Sequence, residues 1–251
     1  MAKWRLIINE GDVYWNMAFD EAMLLFRERG LVPNTLRLYV FKPSAVTIGY
    51  FQRVFDAVNL DYLSSKGIPF TRRITGGGSV YHDEFGEVTY SVVASIDDIS
   101  RDVLESYKII CSGLVYAIKR LGLSAEFKPI NDVVIGGKKV SGSAQTRKKN
   151  TLLQHGTLMY NTDIAALANC LRAPKEKLAA HGVKSILERV TTLTRELNRV
   201  VSKDEVIKAL VDGFSEALDV DFVVEKPTSG ELELASRLVD KYKSREWVFK
   251  R

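Results

Sequence analysis

The sequence predicts an α+β fold: a mixed or antiparallel sheet core flanked by helices, with a helical C-terminal third. Three observations predict it. Short β-type runs follow one another without the regular helical alternation of a doubly wound sheet, two long helical periodicities sit among them, and strand signals stop after Asn161. The 251 residues, 46% hydrophobic and 27% charged, suffice for one large domain, or one with a small appendage, and for a core with a deep cleft.

The elements follow in order. "KWRLIIN" reads as a strand and "YWNMAFDEAMLLFRERG" as a helix whose Ala18, Ala22 and Leu25 share a face before Gly30 stops it. "TLRLYVF" and "SAVTIGYF" are strand-like and are separated by the Lys42-Pro43 turn. "LDYLSSKG" is a short helix that delivers the chain to "IPFTRRI". In "GEVTYSVVAS", Val88, Tyr90 and Val92 alternate with Thr89 and Ser91, the pattern of a half-buried strand. A long helix spans 102–122 and buries Leu104, Ile109, Leu114 and Leu121. "NDVVIGGKKVSGSAQ" and "TLLQHGTLMY" form a further strand pair joined by the exposed basic loop "TRKKN". Ser202 with Glu205, and Thr228 with Glu231, have capping-box spacing before the last helices.

Composition excludes several functions. The net charge of +5 is mild and its basic residues are scattered, which suits an anionic substrate or acidic partner protein; no arginine-rich block or zinc-knuckle spacing points to nucleic acid. Two cysteines, Cys111 and Cys170, cannot build a disulfide framework, "MAKWRLIINE" lacks a signal-peptide pattern, and the near-apolar run 109–118 is too short to span a bilayer. These features predict a cytoplasmic protein. His82, His155 and His181 show neither H-x-H nor H-x-x-x-H spacing, so nothing points to zinc; His181 reads as a helix-terminal surface residue. Both cysteines read as inert thiols, because a nucleophilic one needs an electropositive, partly exposed position.

Two stretches carry chemistry. In "RRITGGGSVYHD", Arg72 and Arg73 precede Thr75 and the glycines Gly76, Gly77 and Gly78. A tight turn fits, and so does an anion-binding nest of main-chain amides beside guanidinium groups that grip a carboxylate or phosphate. In "NDVVIGGKKVSGSAQ", Asn131 and Asp132 fit a capped turn, and Lys138 and Lys139 fit a hairpin surface. The small-residue segment "VSGSA", with glycine inside a strand, needs something packed on its bare face. A lysine at the mouth of such a slot suits an acyl phosphate, and Asp132 is a candidate Mg²⁺ carboxylate.

These two stretches and "LLQHGTLMYNTD", in this order, resemble the lipoate–protein ligase A family of the biotin/lipoate ligase superfamily. "NMAFDEAML" resembles its first helix and "SAVTIGYFQ" the strand leading to its substrate pocket, so the resemblance covers most of the chain. It implies a biotin/lipoate-ligase-like catalytic domain over 1–251, with a core of about 31–218 and a helical segment of about 202–251. It implies that Arg73, Gly78, Ser79, Val80 and Tyr81 contact the activated acyl group and nucleotide, with Gly76 and Gly77 permitting the approach. Lys139 matches the catalytic lysine, Asn131 and Asp132 lie at nucleotide and metal, Ser141, Gly142 and Ala144 line the slot, and His82 and His155 are positional. The implied reaction uses lipoate, ATP and Mg²⁺ to make lipoyl-AMP, then acylates a lysine of an apo lipoyl domain, in 2-oxoacid dehydrogenase E2 subunits or glycine-cleavage H protein. Longer members carry an accessory domain after the part matched here, so a separate accessory subunit is expected. An octanoyl or lipoyl transferase, which takes the acyl group from a carrier thioester through a cysteine thioester and uses no ATP, is the competing enzyme reading. Such enzymes place that cysteine between the glycine motif and the Asn-Asp motif or near the C-terminal side of the core, and the interval before Asn131 holds only Cys111, read as mid-helix, which counts against it. A non-catalytic lipoyl-domain-binding subunit is the non-enzymatic reading. An acidic acceptor surface is expected to meet Arg147, Lys148 and Lys149.

Overall fold

Asp12 decides where the first strand gives way to the first helix. Its carboxylate accepts the Trp15 amide at 2.8 Å, which satisfies one of the orphan donors of helix α1, Val13–Glu28. Gly30 ends that helix at φ +71°, a conformation side chains resist. The fold is described from a computed structural model that places residues 2–172 and 185–251. His181 therefore lies outside the described residues.

Eight strands form the main sheet: β1 (Ala2–Gly11), β2 (Thr35–Phe41), β6 (Glu87–Ser95), β7 (Glu126–Lys128), β8 (Asp132–Ile135), β9 (Lys138–Lys148), β10 (Thr151–Met159) and β11 (Val220–Val224), in the order β11-β1-β2-β6-β10-β9-β8-β7. The β11-β1 and β1-β2 pairs are parallel and the rest antiparallel, the mixed sheet that the strand spacing predicted. A small second sheet sets β3 (Ala45–Ile48) between β4 (Phe70–Arg72) and β5 (Val80–His82).

Helices cover both faces of the main sheet. On one, Leu36, Leu38, Val88, Tyr90, Val92 and Leu152 pack beneath α4 (Val103–Arg120) and α8 (Lys203–Leu218). On the other, Ile7, Val93 and Leu153 meet α1 and α9 (Ser229–Lys243). Short helices α2 (Val54–Ala57), α3 (Leu60–Lys66), α5 (Ile164–Cys170), α6 (Ile186–Arg189), α7 (Leu193–Leu197) and α10 (Arg245–Val248) close the edges. Among the described residues, no helix is long and apolar enough to cross a membrane.

Five local expectations change. Leu104, expected in the buried stripe of α4, is exposed in its first turn. All of β6 is buried, because its Thr89 and Ser91 face lies under α1 and the small sheet rather than water. Strand β9 continues through Lys148, so the basic loop shrinks to a turn at Lys149 and Asn150. Arg147 is a brace: it donates to the carbonyls of Ser100, Arg101 and Asp102 and to Ser106 Oγ, and Lys149 pairs with Glu28 at 2.5 Å. The C-terminal third is not wholly helical, since β11 returns to the sheet edge beside β1. At Ser202 only half of the capping box forms, because Arg199 takes the Glu205 carboxylate; at Thr228 both halves form.

Candidate active site

The β6 face that was expected to meet water forms one wall of a cleft of about 500 Å³. The opposing wall is the glycine loop with β5, and the mouth is formed by β8, β9 and the segment around Val190. A depression of about 510 Å³ between α3 and the C-terminal residues contains none of the motif residues.

At the mouth, Lys139 Nζ lies 2.6 Å from Asp132 Oδ1, and Arg189 reaches Asp132 Oδ2 at 3.1 Å. Three features hold the lysine there. The β8-β9 register pairs Val133 with Ser141 but Val134 with Lys139, so Val140 is an extra residue. Such a bulge re-aims side chains, and here it brings Lys139 and Gly142, three apart, onto one face. A Cβ at Gly142 would stand 2.4 Å from Lys139 Nζ, so the lysine stem itself covers the bare face of "VSGSA". The Lys139 carbonyl also accepts the Thr191 amide at 2.9 Å. Asn131 donates to the Ser143 carbonyl at 2.5 Å and its own carbonyl accepts the Ser143 amide, which pins the turn before β8.

The glycine loop hangs on Arg73. Its Nη2 donates to the carbonyls of Gly76 and Gly78, and its Nε donates to Thr75 Oγ1 at 2.9 Å. Gly77 must be glycine: φ is +86°, and a Cβ would sit 2.9 Å from Arg73 Nη2. Full burial pulls the Arg73 guanidinium down to about 10, still charged at neutral pH. Since Thr75 Oγ1 accepts from Arg73, its proton goes to His155 Nε2 at 2.7 Å, and His155 Nδ1–H donates to Asp20 Oδ2 at 2.9 Å. Burial keeps His155 below its ordinary value, in its neutral form. Burial also works against ionisation of Asp20, but the hydrogen bond from His155 and the Arg37 charge outweigh it and hold the carboxyl below its ordinary value. Asp20 accepts from Arg37, Tyr39, Ser91 and His155 at once.

At the other end, His82 bridges Thr47 Oγ1, 2.9 Å from Nε2, and Glu87 Oε1, 2.7 Å from Nδ1, while its ring stacks on Phe41 at 3.8 Å. Burial, then the Arg73 charge, push His82 well below its ordinary value, and burial pushes Glu87 well above its own.

The cleft thus gathers Arg73, Gly77, Gly78, Ser79, Val80, Tyr81, His82, Asn131, Asp132, Lys139, Gly142, Ala144 and His155. Thr75 and Gly76 lie behind it as loop supports, and Ser141 points into the opposite, fully buried side. Arg72 is a correction: it is buried, donates to the carbonyls of Gly49, Tyr50, Gln52, Trp247 and Val248, and does not line the cleft. Asp132 is another, because both of its oxygens face side-chain cations, a poor fit to Mg²⁺. Among the described residues no cluster of three His, Cys, Asp or Glu could hold a metal. Glu87, Thr89, Thr157, Tyr39, Met17 and Arg189 also line the cleft and were missed. Only Asp20, inside the quoted "NMAFDEAML", had a sequence signal, as a buried-side acid in an amphipathic helix.

Both cysteines are buried and absent from the cleft wall, and burial raises both thiols to about 11. Cys111 faces Ser143 and Gln154 beneath the sheet.

Residues 12–215 match the family described as the lipoyl protein ligase A/B catalytic domain. The chain belongs to this family. Its relatives include octanoyltransferase LipM of Brevibacillus brevis, 36% identical over 278 residues, and that of Kyrpidia tusciae, 37% identical over 276, each match covering 100% of both chains. Solved structures with this fold include a bipartite lipoate protein ligase of Thermoplasma acidophilum, TM-score 0.86 at 36% identity over 99% of this chain and 97% of that one. A lipoate–protein ligase A bound with ATP superposes at TM-score 0.86 and 34% identity, over 99% of each chain. The lipoate ligase family and its fold are as the motifs predicted. The expected reaction is not: the full-length relatives are octanoyltransferases, which overturns the reading as an ATP-dependent, adenylate-forming ligase and with it the ATP and Mg²⁺ requirement. The quoted motifs build a cleft with a lysine at its mouth, a geometry compatible with more than one activated acyl donor, and so do not report which one arrives.

Proposed function

We propose that this chain is an octanoyltransferase of the LipM type, a single catalytic domain over 1–251 that moves a medium-chain acyl group from a carrier thioester to a lysine of a lipoyl domain, without ATP. The observation that carries this reading is the end-to-end match to octanoyltransferases. The cleft is compatible with it: the chain lies along β6 and β10, and the thioester carbonyl sits at the mouth beside Lys139. Lys139 pairs with Asp132 Oδ1 by charge at 2.6 Å without a hydrogen bond between them, which leaves its ammonium donors for the carbonyl oxygen. The acceptor amine attacks the carbonyl carbon, charge gathers on the oxygen against Lys139, and the carrier thiolate leaves and takes the proton the amine gives up. Neither thiol reaches the cleft, so the acyl group passes directly from donor to acceptor with no acyl-cysteine stage. The free thiols also suit the reducing cytoplasm.

The test supplies octanoyl-carrier thioester and apo lipoyl domain without nucleotide and follows the acceptor's mass. Octanoylated acceptor is expected, and it persists with Cys111→Ser and Cys170→Ser. Acylation only from free acid with ATP would overturn the reading; loss of transfer in a folded cysteine variant would overturn its direct-transfer step.

A further inference from the structure

Glu87 lines the cleft and one of its two oxygens is unanswered. The residue opens β6 and is 3% exposed. Its two oxygens differ. Oε1 accepts from Thr89 at 3.1 Å and pairs with His82 Nδ1 at 2.7 Å, whereas Oε2 is buried with no hydrogen-bond partner among the described residues. Buried polar atoms in folded proteins are nearly always partnered, so an orphan on a cleft wall marks where a ligand atom completes the set.

Its protonation follows from its neighbours. His82 lies buried near the Arg73 cation, which disfavours a second proton on the ring. Thr47 Oγ1 accepts from Arg73 Nη1, so its own proton goes to Nε2 and the ring's single proton, on Nδ1, donates to Oε1. Burial pushes the carboxyl of Glu87 well above its ordinary range and so favours its protonated form. With Oε1 already accepting two hydrogen bonds, the acid proton resides on Oε2 and makes it a donor.

The position fits the distal end of an acyl chain. Glu87 is on β6 and Lys139 on β9, with β10 between them. The two strands lie two spacings apart across the sheet, about 10 Å, the scale of a medium-length chain whose carbonyl is at Lys139. The Thr89 and Thr157 hydroxyls and the Tyr39 ring share this end of the wall, so it is more polar than a plain methyl terminus requires.

We propose that Glu87 determines chain specificity by donating a hydrogen bond from Oε2 to an acceptor atom, sulfur or oxygen, near the distal end of the acyl chain, and so favours such chains over plain alkyl ones. The inference rests on the acyltransferase reading for the direction of the chain, but its test needs no turnover.

The full chain is titrated calorimetrically with octanoate, with the analogue bearing sulfur in place of the methylene next to the terminal methyl, and with lipoate. The sulfur-bearing chains are expected to bind roughly tenfold more tightly than octanoate, the scale of one buried donor satisfied. Glu87→Gln keeps a donor at the same place and retains the preference. Glu87→Leu removes it and binds octanoate at least as well as the wild type, with circular dichroism reporting that each variant is folded. Equal affinities in the wild type, a preference surviving in Glu87→Leu, or no binding of any chain would overturn the proposal. Preferential binding without transfer from a thioester would instead leave it standing and overturn the proposed reaction.

Discussion

Adjacent residues of one type have opposite fates here. Arg72 and Arg73 look equivalent in sequence, yet Arg72, the last residue of β4, turns under the C-terminal segment while Arg73, just past the strand end, turns into the cleft. Neighbouring acids diverge in the same way. Asp20 stays ionised because four donors surround it, whereas Glu87 has one neutral histidine and one hydroxyl and keeps its proton. A stability signature follows for Glu87. The unfolded chain releases this proton near the ordinary value of 4.5 while the folded chain retains it, so folded stability declines as pH rises above that point. Glu87→Gln has no proton to retain. Urea denaturation at pH 4.5 and pH 7 should show the variant gaining on the wild type by at most about 1.4 kcal/mol per pH unit. A constant difference between the two proteins would contradict a protonated Glu87.

At the scale of elements, the sheet is shaped by two helices that approach unusually closely. A Cβ at Gly213 of α8 would lie 2.4 Å from the Gly113 carbonyl oxygen and 2.6 Å from the Ala117 nitrogen of α4. A helix-interior glycine costs up to about 1 kcal/mol against alanine, so its use here reflects backbone contact rather than propensity. Gly213→Ala should therefore destabilise the protein by about 1–3 kcal/mol despite the better helix former. The denaturation midpoint should fall with an unchanged slope, and a midpoint that rises would show that the helices separate freely. The same logic explains the bulge at Val140: an irregularity in one strand places Lys139 over Gly142, and nothing in the periodicity of "GGKKVSG" announces it.

Across the whole molecule, the C-terminal third is bound into the body. Strand β11 pairs with β1, and Arg5 donates from Nη1 and Nη2 to the two oxygens of Glu231 at 2.8 and 2.6 Å with both side chains buried. Burial of Glu231 opposes its charge, but the Arg5 hydrogen bonds and the Thr228 cap outweigh that and hold its carboxyl below the ordinary value of 4.5. Its stabilisation is thus complete above 4.5 and is lost as pH falls below it. Glu231→Gln leaves Arg5 buried without a counter-ion and should cost about 3–5 kcal/mol at pH 7, a gap that narrows in acid. Thermal unfolding at pH 7 and pH 3 measures both, and an equal loss at the two values would mean that the pair contributes packing alone.

By itself the sequence determined the mixed sheet, the long helices, the family and nearly half of the cleft lining, because alternation, caps and contiguous motifs are local signals. "RRITGGGSVYHD" and "NDVVIGGKKVSGSAQ" each deliver several wall residues from one stretch of chain. Only the tertiary structure decided that Arg72 is a brace, that Asp132 faces Arg189 from 57 positions away, and that the cleft residue Glu87 keeps one oxygen without a partner among the described residues. Those facts depend on which distant groups share a desolvated space, where one absent or present partner changes a charge state.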